Sequence, residues 1–251
     1  MIAPAKGRAK TTEGPTGIGV IGCGYWGPNL IRNFSALPDA EVRIVCDFSA
    51  DRLAHMQRLY PGVAITQDPQ AVIDDPRVDA VVIATPVRYH FALARQALEA
   101  NKHTFVEKPM ASTVAECAEL NALAEARGLT LMVGHTFLYS QVVRKIKEIV
   151  DSGELGEILY ISSRRLNLGL FQHDINVAWD LAPHDLSIIL YLLDEHPIAV
   201  NCQGRTHLTV DIEVLTNMSL SFASGRFATI HSSWIDPSKV RDMTIVGRNK
   251  M

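Results

Sequence analysis

The sequence of 251 residues predicts an α/β fold in two domains: a doubly wound parallel sheet, then an α+β domain with a mostly antiparallel open sheet. Between residues 17 and 135, apolar runs typical of strands alternate with segments of helical periodicity. Beyond residue 157, strand-like runs are joined by short turns such as Ala223–Gly225. We therefore expect domains at 17–135 and 136–251, preceded by a flexible tail at 1–16.

The first domain contains clear starts and ends of elements. Val78–Thr85 is a largely apolar run, typical of a strand buried on both faces of a parallel sheet. Thr85-Pro86 is expected to act as N-cap and first residue of a helix that ends at Ala100. Thr113 and Glu116 form a capping box whose helix ends at Gly128. The other predicted elements are Ile18–Ile21, a helix after Gly27, Glu41–Cys46, Ser49–Leu59, Val63–Thr66, Asp68–Ile73, His103–Val106 and Leu129–Val133.

The second domain is expected to begin with a helix at Phe137–Ser152, closed by Gly153 and Gly156. A second helix is predicted at about Leu181–Leu193, between strands. The predicted strands are Ile158–Arg165, Ala199–Leu208, Asp211–Phe222, Arg226–Ile235 and Met243–Val246.

Composition excludes several classes of protein. A hydrophobic content of 47% and a net charge of −3 are ordinary for a globular protein and give no reason to expect nucleic acid or an anionic membrane as partner. The apolar runs are too short to span a bilayer, and the N-terminus lacks the apolar stretch of a secretory signal. Four cysteines are scattered singly, which favours reduced thiols and a cytoplasmic protein.

A G-x-G-x-x-G motif lies between the first strand and its helix. Gly22 permits a tight turn, Gly24 lets the backbone approach a pyrophosphate, and Gly27 lets the helix pack on the strand. The free N–H groups at the helix start attract phosphate. Together with the flanking strand and helix, these glycines predict a dinucleotide site.

Asp47 indicates which dinucleotide is bound. It lies 20 residues beyond Gly27, at the end of the second strand, where a carboxylate accepts hydrogen bonds from the adenine-ribose hydroxyls and repels a 2′-phosphate. No arginine follows it immediately, although Arg43 and Arg52 are near in sequence. We predict that NAD is preferred to NADP.

Further polar residues follow the later strands of the first domain. Thr85-Pro86, Glu107-Lys108 and His135 each come directly after a predicted strand. Because the carboxyl ends of parallel strands meet at one edge of the sheet, we expect these residues to converge on the crevice where the dinucleotide binds.

Two pairs of residues could carry proton chemistry, and each has a structural alternative. Lys108, beside a nicotinamide, could bond a substrate hydroxyl, or it is a surface lysine paired with an acid. Asp180 and His184 share a helix face if the helix already includes Asp180, so that the carboxylate could orient the imidazole. Alternatively, Asp180 is an N-cap and His184 is a packed histidine.

Other site chemistries are less well supported. His173-Asp174 and His184-Asp185 supply metal-ligand types without a metal-binding spacing, and no G-x-S-x-G motif accompanies a serine, so we predict neither a metal site nor a serine nucleophile. Arg164, Arg165 and Asn167 form either an exposed edge or polar contacts for a substrate, and Trp179 is expected in the core.

These residues together resemble the Gfo/Idh/MocA oxidoreductase family, and the resemblance covers essentially everything from Gly17 onward. The matching segments are GVIGCGYWG at 19–27, VVIATPVRYH at 81–90, FVEKPM at 105–110, LMVGHTF at 131–137, DSGELGEI at 151–158 and WDLAPHD at 179–185.

The resemblance implies an NAD(P)-dependent dehydrogenase and assigns roles to residues. Lys108 is then expected to contact nicotinamide and substrate, His184 to exchange the proton, and Asp180 to assist it or contact substrate. The expected cofactor contacts are Gly22, Gly24, Tyr25, Trp26, Gly27, Asp47, Thr85, Pro86, His90, Glu107 and Lys108. The expected substrate contacts are Lys108, His135, Arg165, Asn167, Asp180 and His184.

The motifs look most like members that act on nucleotide-linked sugars, the UDP-N-acetylglucosamine and UDP-N-acetylglucosaminuronate 3-dehydrogenase type. An inositol or polyol dehydrogenase is the alternative within the class. Since members of the family usually continue beyond the strand at Met243–Val246, the second domain is expected to be incomplete, and a dinucleotide-binding protein without turnover is a further alternative. Relatives commonly associate through the open sheet face, so a homo-oligomer is expected.

Overall fold

The computed structural model describes residues 14–169, 171–208 and 211–251, and these form two compact units that divide between Gly134 and His135. Most of the predicted N-terminal tail lies outside the described residues. None of the helices in the described ranges combines the length and apolar character needed to cross a membrane.

The first unit is a parallel sheet of six strands in the order β3-β2-β1-β4-β5-β6, the doubly wound arrangement predicted from the alternation of strands and helices. The strands are β1 (Thr16–Ile21), β2 (Ala40–Cys46), β3 (Ala64–Thr66), β4 (Ala80–Ile83), β5 (His103–Val106) and β6 (Leu131–Val133). The helices are α1 (Gly27–Ser35), α2 (Ala50–Leu59), α3 (Pro69–Asp74), α4 (His90–Glu99) and α5 (Val114–Arg127).

Strand β4 lies in the middle of this unit. Val81, Val82 and Ile83 are each at most 1% exposed, and successive side chains point to opposite faces of a sheet, so both faces are covered. The cores on the two faces account for the apolar run that the sequence shows here.

The helix boundaries confirm one expected cap and correct another. Thr113 and Glu116 form the complete capping box of α5, and Gly128 ends that helix with φ +63°. Thr85-Pro86 does not open α4, because Pro86 remains extended and a 3₁₀ turn at Val87–Tyr89 precedes the helix.

The glycine-rich turn brings α1 into close contact with β1. Gly22 has φ +104°, and a Cβ there would lie 2.5 Å from the carbonyl oxygen of Ala84. A Cβ on Gly27 would lie 2.0 Å from the carbonyl oxygen of Gly22. Glycine at these two positions is therefore what allows the turn and the helix–strand contact to coexist.

The second unit is a five-stranded sheet in the order β11-β7-β10-β9-β8, with three antiparallel pairings and one parallel pairing, between β7 and β10. Its strands are β7 (Ile158–Leu168), β8 (Pro197–Arg205), β9 (Leu215–Phe222), β10 (Phe227–Ser233) and β11 (Ile235–Gly247). Its helices are α6 (Gln141–Asp151) and α7 (Val177–Leu193), and a 3₁₀ turn at Thr136–Tyr139 precedes α6.

Two elements of the second unit, α7 and β11, begin well before their predicted starts. Helix α7 begins four residues before the predicted Leu181, because Asn176 rather than Asp180 caps it, accepting a hydrogen bond from the Trp179 amide. Strand β11 begins at Ile235, because its long pairing with β7 extends well beyond the apolar stretch that the sequence displays.

The two faces of the second sheet differ in character. Ile161, Leu220 and Ile230 are almost fully buried in a core shared with α6 and α7. The other face lines a cavity of about 350 Å³, and most of the side chains around it are polar. Eight of these side chains lie in two rows that cross four strands in register. One row is Arg164, His231, Asn217 and Gln203, and the next is Ser162, Thr229, Ser219 and Asn201.

Replacing Gly27 by Ala is expected to destabilise the protein by roughly 2–4 kcal/mol, because the new methyl group overlaps the Gly22 carbonyl and α1 must move away from β1. The free energy of unfolding, measured by urea titration, tests this. Gly62→Ala is the matched control, since among the described residues no atom beyond its two chain neighbours lies within 4 Å of a Cβ built there. Equal stability of the two variants would contradict the packing argument.

Candidate functional site

The first unit gathers the predicted cofactor residues at one edge of its sheet. Gly22, Asp47, Thr85 and Glu107 follow the carboxyl ends of β1, β2, β4 and β5, and these strands are direct neighbours in the order β2-β1-β4-β5. In an open parallel sheet, ligands bind outside this edge, where the strand order reverses.

The glycine-rich turn leaves its backbone accessible. Helix α1 begins without a side-chain cap, so the partial positive charge of its N-terminus is left for an anion. A Cβ on Gly24 would meet only the guanidinium of Arg52, at 3.8 Å. Tyr25 and Trp26 are 84% and 42% exposed, respectively. These features suit the pyrophosphate of a dinucleotide.

The Asp47 carboxylate supports the backbone of the glycine-rich turn. Its Oδ2 accepts a hydrogen bond of 2.7 Å from the Cys23 amide, and its Oδ1 accepts one of 2.8 Å from the Ser49 amide. Arg52 Nη1 lies 3.7 Å from the same carboxylate. Asp47 therefore stabilises the conformation of the turn as well as presenting negative charge at the position expected for the adenine ribose.

Phe48 is a residue that the sequence analysis missed. Phe48 follows Asp47 in the sequence, and its side chain is 70% exposed. Its backbone carbonyl accepts a hydrogen bond of 2.7 Å from Gln67 Nε2. An exposed aromatic ring beside the ribose position suits an adenine base. The available indication was an apolar residue placed directly after the strand-end acid.

Thr85 and Glu107 have buried polar atoms that suit ligand hydroxyls. Thr85 Oγ1 and Glu107 Oε1 have no hydrogen-bond partner within the described part of the chain. Glu107 is only 7% exposed, and burial raises the pKa of its carboxyl group above the usual range, against the weaker lowering effect of the Lys108 amide and charge. Gly134 allows this packing, because a Cβ there would lie 3.0 Å from Glu107 Oε1.

Lys108 lies beyond β5, half-buried, and precedes a cis peptide bond to Pro109. His90, expected to contact the cofactor, is instead 1% exposed. Its Nδ1 lies 2.8 Å from the Pro109 carbonyl oxygen and its Nε2 lies 2.8 Å from the Thr85 carbonyl oxygen. The ring is enclosed between two loops, and its contact with a cofactor stays a prediction.

In the second unit, α7 carries Asp180 and His184 one turn apart on the same helix face. The alternative in which Asp180 caps the helix is wrong, because Asn176 does so. Asp180 Oδ2 accepts a hydrogen bond of 3.1 Å from the indole Nε1 of Trp234, which is 1% exposed. Nothing in the sequence had indicated that Trp234 orients this carboxylate.

His184 is held by an aromatic contact that extends to a buried ion pair. The Phe137 ring lies 4.9 Å from the imidazole, edge to face, and the Arg165 guanidinium lies 4.8 Å from the centroid of Phe137. Arg165 Nε and Nη2 each donate to Asp185 at 2.9 Å, and both side chains are less than 10% exposed. Such bidentate, enclosed geometry holds the residue after His184 in place.

The structure also places four other residues named in the sequence analysis. Arg165, predicted to contact substrate, is buried and bonded to Asp185. Asn167 is half-buried and, two residues along β7, lies on the same face of the sheet as Arg165. Trp179 is 38% exposed, so its predicted place in the core is wrong. His135 is the half-buried first residue of the second unit.

Metal ligation has no candidate in residues 14–169, 171–208 and 211–251, where no three His, Cys, Asp or Glu side chains are arranged to hold an ion. The Cys23 thiol, within the glycine-rich turn, is also unreactive in character: burial, followed by the Asp47 charge, raises its pKa to about 12.

Two family models match the sequence. The model described as the oxidoreductase family, NAD-binding Rossmann fold, of GFO/IDH/MocA matches residues 16–135, and the model of the GFO/IDH/MocA C-terminal domain matches residues 143–251. Together they cover both units.

Among curated relatives, an uncharacterised oxidoreductase, YrbE, of Bacillus subtilis (strain 168) is 29% identical over 86% of this chain and 66% of its own length. A 1-carboxy-3-chloro-3,4-dihydroxycyclohexa-1,5-diene dehydrogenase of Comamonas testosteroni is 32% identical over 85% and 56%. The myo-inositol 2-dehydrogenase of Thermotoga maritima is 27% identical over 86% and 68%. The chain thus spans less than two thirds of the length of the first two.

Solved structures share the fold. GenD2 from gentamicin A biosynthesis, in complex with NAD, superposes with a TM-score of 0.88 at 23% identity over 96% of this chain and 72% of that chain. A protein described as a putative oxidoreductase from Magnetospirillum magnetotacticum MS-1 gives 0.81 at 30% identity over 93% of this chain and 75% of that chain. The two-unit architecture is therefore shared with both of these solved structures.

Glu107→Gln is expected to raise the stability of the protein without cofactor at neutral pH. The folded-state pKa of Glu107 is raised, so the charged form is disfavoured on folding and its cost grows as the pH rises through that pKa. The melting temperature of wild type and variant between pH 4 and pH 8 tests this, and the gain should shrink towards acid. A gain of the same size at every pH would contradict the assignment.

Arg165→Met and Asp185→Leu are each expected to destabilise the protein by about 3–5 kcal/mol, because each leaves a buried charge without its partner. The double variant should recover most of that loss, since an apolar pair replaces the ion pair in the same space. Urea unfolding of all four proteins gives the coupling free energy. Simple addition of the two losses would show that the pair is not coupled.

Proposed function

The chain belongs to the GFO/IDH/MocA oxidoreductase family, and its first unit is the NAD-binding Rossmann domain of that family, so we propose that the protein transfers hydride between NAD and a ring CH–OH group of a polyol or sugar. The observation that carries the proposal is the dinucleotide-binding sheet edge of the first unit, which includes Lys108. The second unit, taken by itself, carries Asp180 and His184 on one face of α7.

The proposed reaction removes a hydride from carbon and a proton from oxygen, which leaves a ketone. NAD, when bound, accepts the hydride at its nicotinamide ring. His184 accepts the hydroxyl proton, and Asp180, held by Trp234, stabilises the imidazolium that results. The Lys108 ammonium donates a hydrogen bond to the reacting oxygen and stabilises the negative charge that develops there.

For the cofactor, we propose that Asp47 selects NAD over NADP. Its carboxylate has an acceptor for a ribose hydroxyl and repels a 2′-phosphate. Arg52, the nearest cation, is 3.7 Å from Asp47 and so is partly engaged by that acid. Thr85 Oγ1 and Glu107 Oε1 are the proposed partners of the remaining cofactor hydroxyls.

The substrate class rests on two separate supports. The named dehydrogenase of Thermotoga maritima, with 27% identity over 86% of this chain, favours a cyclic polyol such as an inositol. The motif resemblance favours a nucleotide-linked sugar. Both classes of substrate carry a secondary hydroxyl on a ring. One panel of inositols and UDP-sugars can therefore be assayed to tell them apart. A dinucleotide-binding protein without turnover remains a third proposal.

Self-association is proposed for the open face of the second sheet, where polar side chains lie in register across four strands. Neutral, hydrogen-bonding side chains such as Asn217 and Gln203 could pair with the same residues of a second copy. A cytoplasmic location remains a prediction from the composition.

Lys108→Ala and His184→Ala are each expected to lower the turnover number by roughly 10²–10⁴-fold, because each removes a group that acts on the reacting oxygen. NADH formation with a panel of inositols and UDP-sugars measures this, alongside NAD affinity by calorimetry. Lys145→Ala is the control, since that lysine is exposed on α6 and pairs only with Glu148 among the described residues.

The panel also separates the candidate functions. Turnover of an inositol or of a UDP-sugar identifies the substrate class, and measurable NAD affinity with no turnover favours the binding protein. Full activity of Lys108→Ala would remove that lysine from the mechanism.

A further inference from the structure

His90 is enclosed between two strand-end loops of the first unit. It is the first residue of α4 and is 1% exposed. Its two ring nitrogens lie 2.8 Å from carbonyl oxygens on different loops, Nδ1 from Pro109 and Nε2 from Thr85. One side chain therefore spans the loops that follow β4 and β5.

The partners define the protonation state of the ring. A carbonyl oxygen accepts hydrogen bonds and cannot donate them, so each 2.8 Å contact requires a proton on the nitrogen. If both contacts are hydrogen bonds, both nitrogens of His90 donate and the ring is an imidazolium. Burying that charge is tolerable because both N–H groups form charge-assisted hydrogen bonds.

The position of this cation in α4 argues against a role in stabilising the helix. A positive charge at a helix N-terminus opposes the helix dipole, and His90 makes no side-chain cap for its own helix. Its hydrogen bonds instead run outward to Thr85 and Pro109. The hydrogen bonds of His90 therefore stabilise the two loops rather than the helix.

The bond to Pro109 acts next to the proposed catalytic lysine. Pro109 is joined directly to Lys108, and β4 and β5 are parallel neighbours in register from Ala80–His103 to Ile83–Val106. A bond between their loops thus restrains the backbone of Lys108 relative to Thr85, at the edge where the cofactor is expected to bind.

We infer that His90, as a doubly donating imidazolium, is a positioning residue that holds Lys108 in its working place through the Pro109 carbonyl. This inference rests on the proposed function for the role of Lys108, but the hydrogen-bonded state of His90 does not. A displacement of about 1 Å in a positioned group lowers a rate by roughly 10²-fold, so a loop restraint of this kind matters for turnover.

Nitrogen-15 NMR of histidine-labelled protein tests the protonation state directly. We expect both ring nitrogens of His90 to carry protons at pH 7.5, with the signal assigned by its loss in His90→Gln. His55, exposed on α2, provides the control for a solvent-exposed ring in the same spectrum. A neutral His90 with one protonated nitrogen would overturn the inference.

Two conservative variants separate the two bonds. The amide nitrogen of Asn reaches the position of Nδ1 and keeps the bond to Pro109, whereas that of Gln reaches the position of Nε2 and keeps the bond to Thr85. We expect His90→Gln to lower the turnover number about 10- to 100-fold and His90→Asn to lower it less, with His55→Asn unchanged. A merely structural role predicts equal losses for Asn and Gln, and that result would overturn the inference.

A third measurement does not depend on turnover. Reductive ¹³C-methylation labels the lysines, and the Lys108 signal is assigned with Lys108→Arg. We expect this signal to shift or narrow in His90→Gln and to stay near its wild-type position in His90→Asn. If wild type turns over no substrate, the proposed function fails while this spectrum still tests the restraint. An unchanged Lys108 signal in both variants would overturn it.

Discussion

The approach of α1 to the end of β1 is the constraint on which the first unit depends. The Gly22 carbonyl occupies the space that any side chain at position 27 would need. This contact fixes where α1 starts, and with it the direction of the N–H groups that face a phosphate. Asp47 then secures the same turn from the neighbouring strand through the Cys23 amide. The conformation of the turn and the anion site at the start of α1 are therefore consequences of one packing requirement.

In the second unit, an ion pair and aromatic contacts hold the polar side chains of β7 and α7 in place. Arg165 and Asp185 neutralise each other in the interior, and Phe137 links that pair to His184 through two ring contacts. Trp234 holds Asp180 in place through a hydrogen bond from its indole N–H. Asp180 and His184 are thus each in contact with an aromatic side chain, Trp234 and Phe137 respectively.

The sequence predicted the first unit well because its determinants are local. Glycine spacing, buried apolar runs and the Thr113–Glu116 capping box each act within a few residues. Contacts between distant segments, by contrast, were not predicted. Arg165 was expected to contact substrate, but Asp185 engages it from 20 residues away. His90 was assigned to the cofactor, although Pro109 and Thr85 enclose it. No periodicity in the sequence reports such pairings.

The double use of Asp47 has a consequence for evolution and engineering of cofactor preference. The same carboxylate that would discriminate between ribose forms also supports the turn through the amides of Cys23 and Ser49. If Asp47 selects the cofactor as proposed, its replacement would change ribose preference and the stability of the turn together. Adoption of the phosphorylated cofactor would then call for a substitution that also satisfies the Cys23 amide.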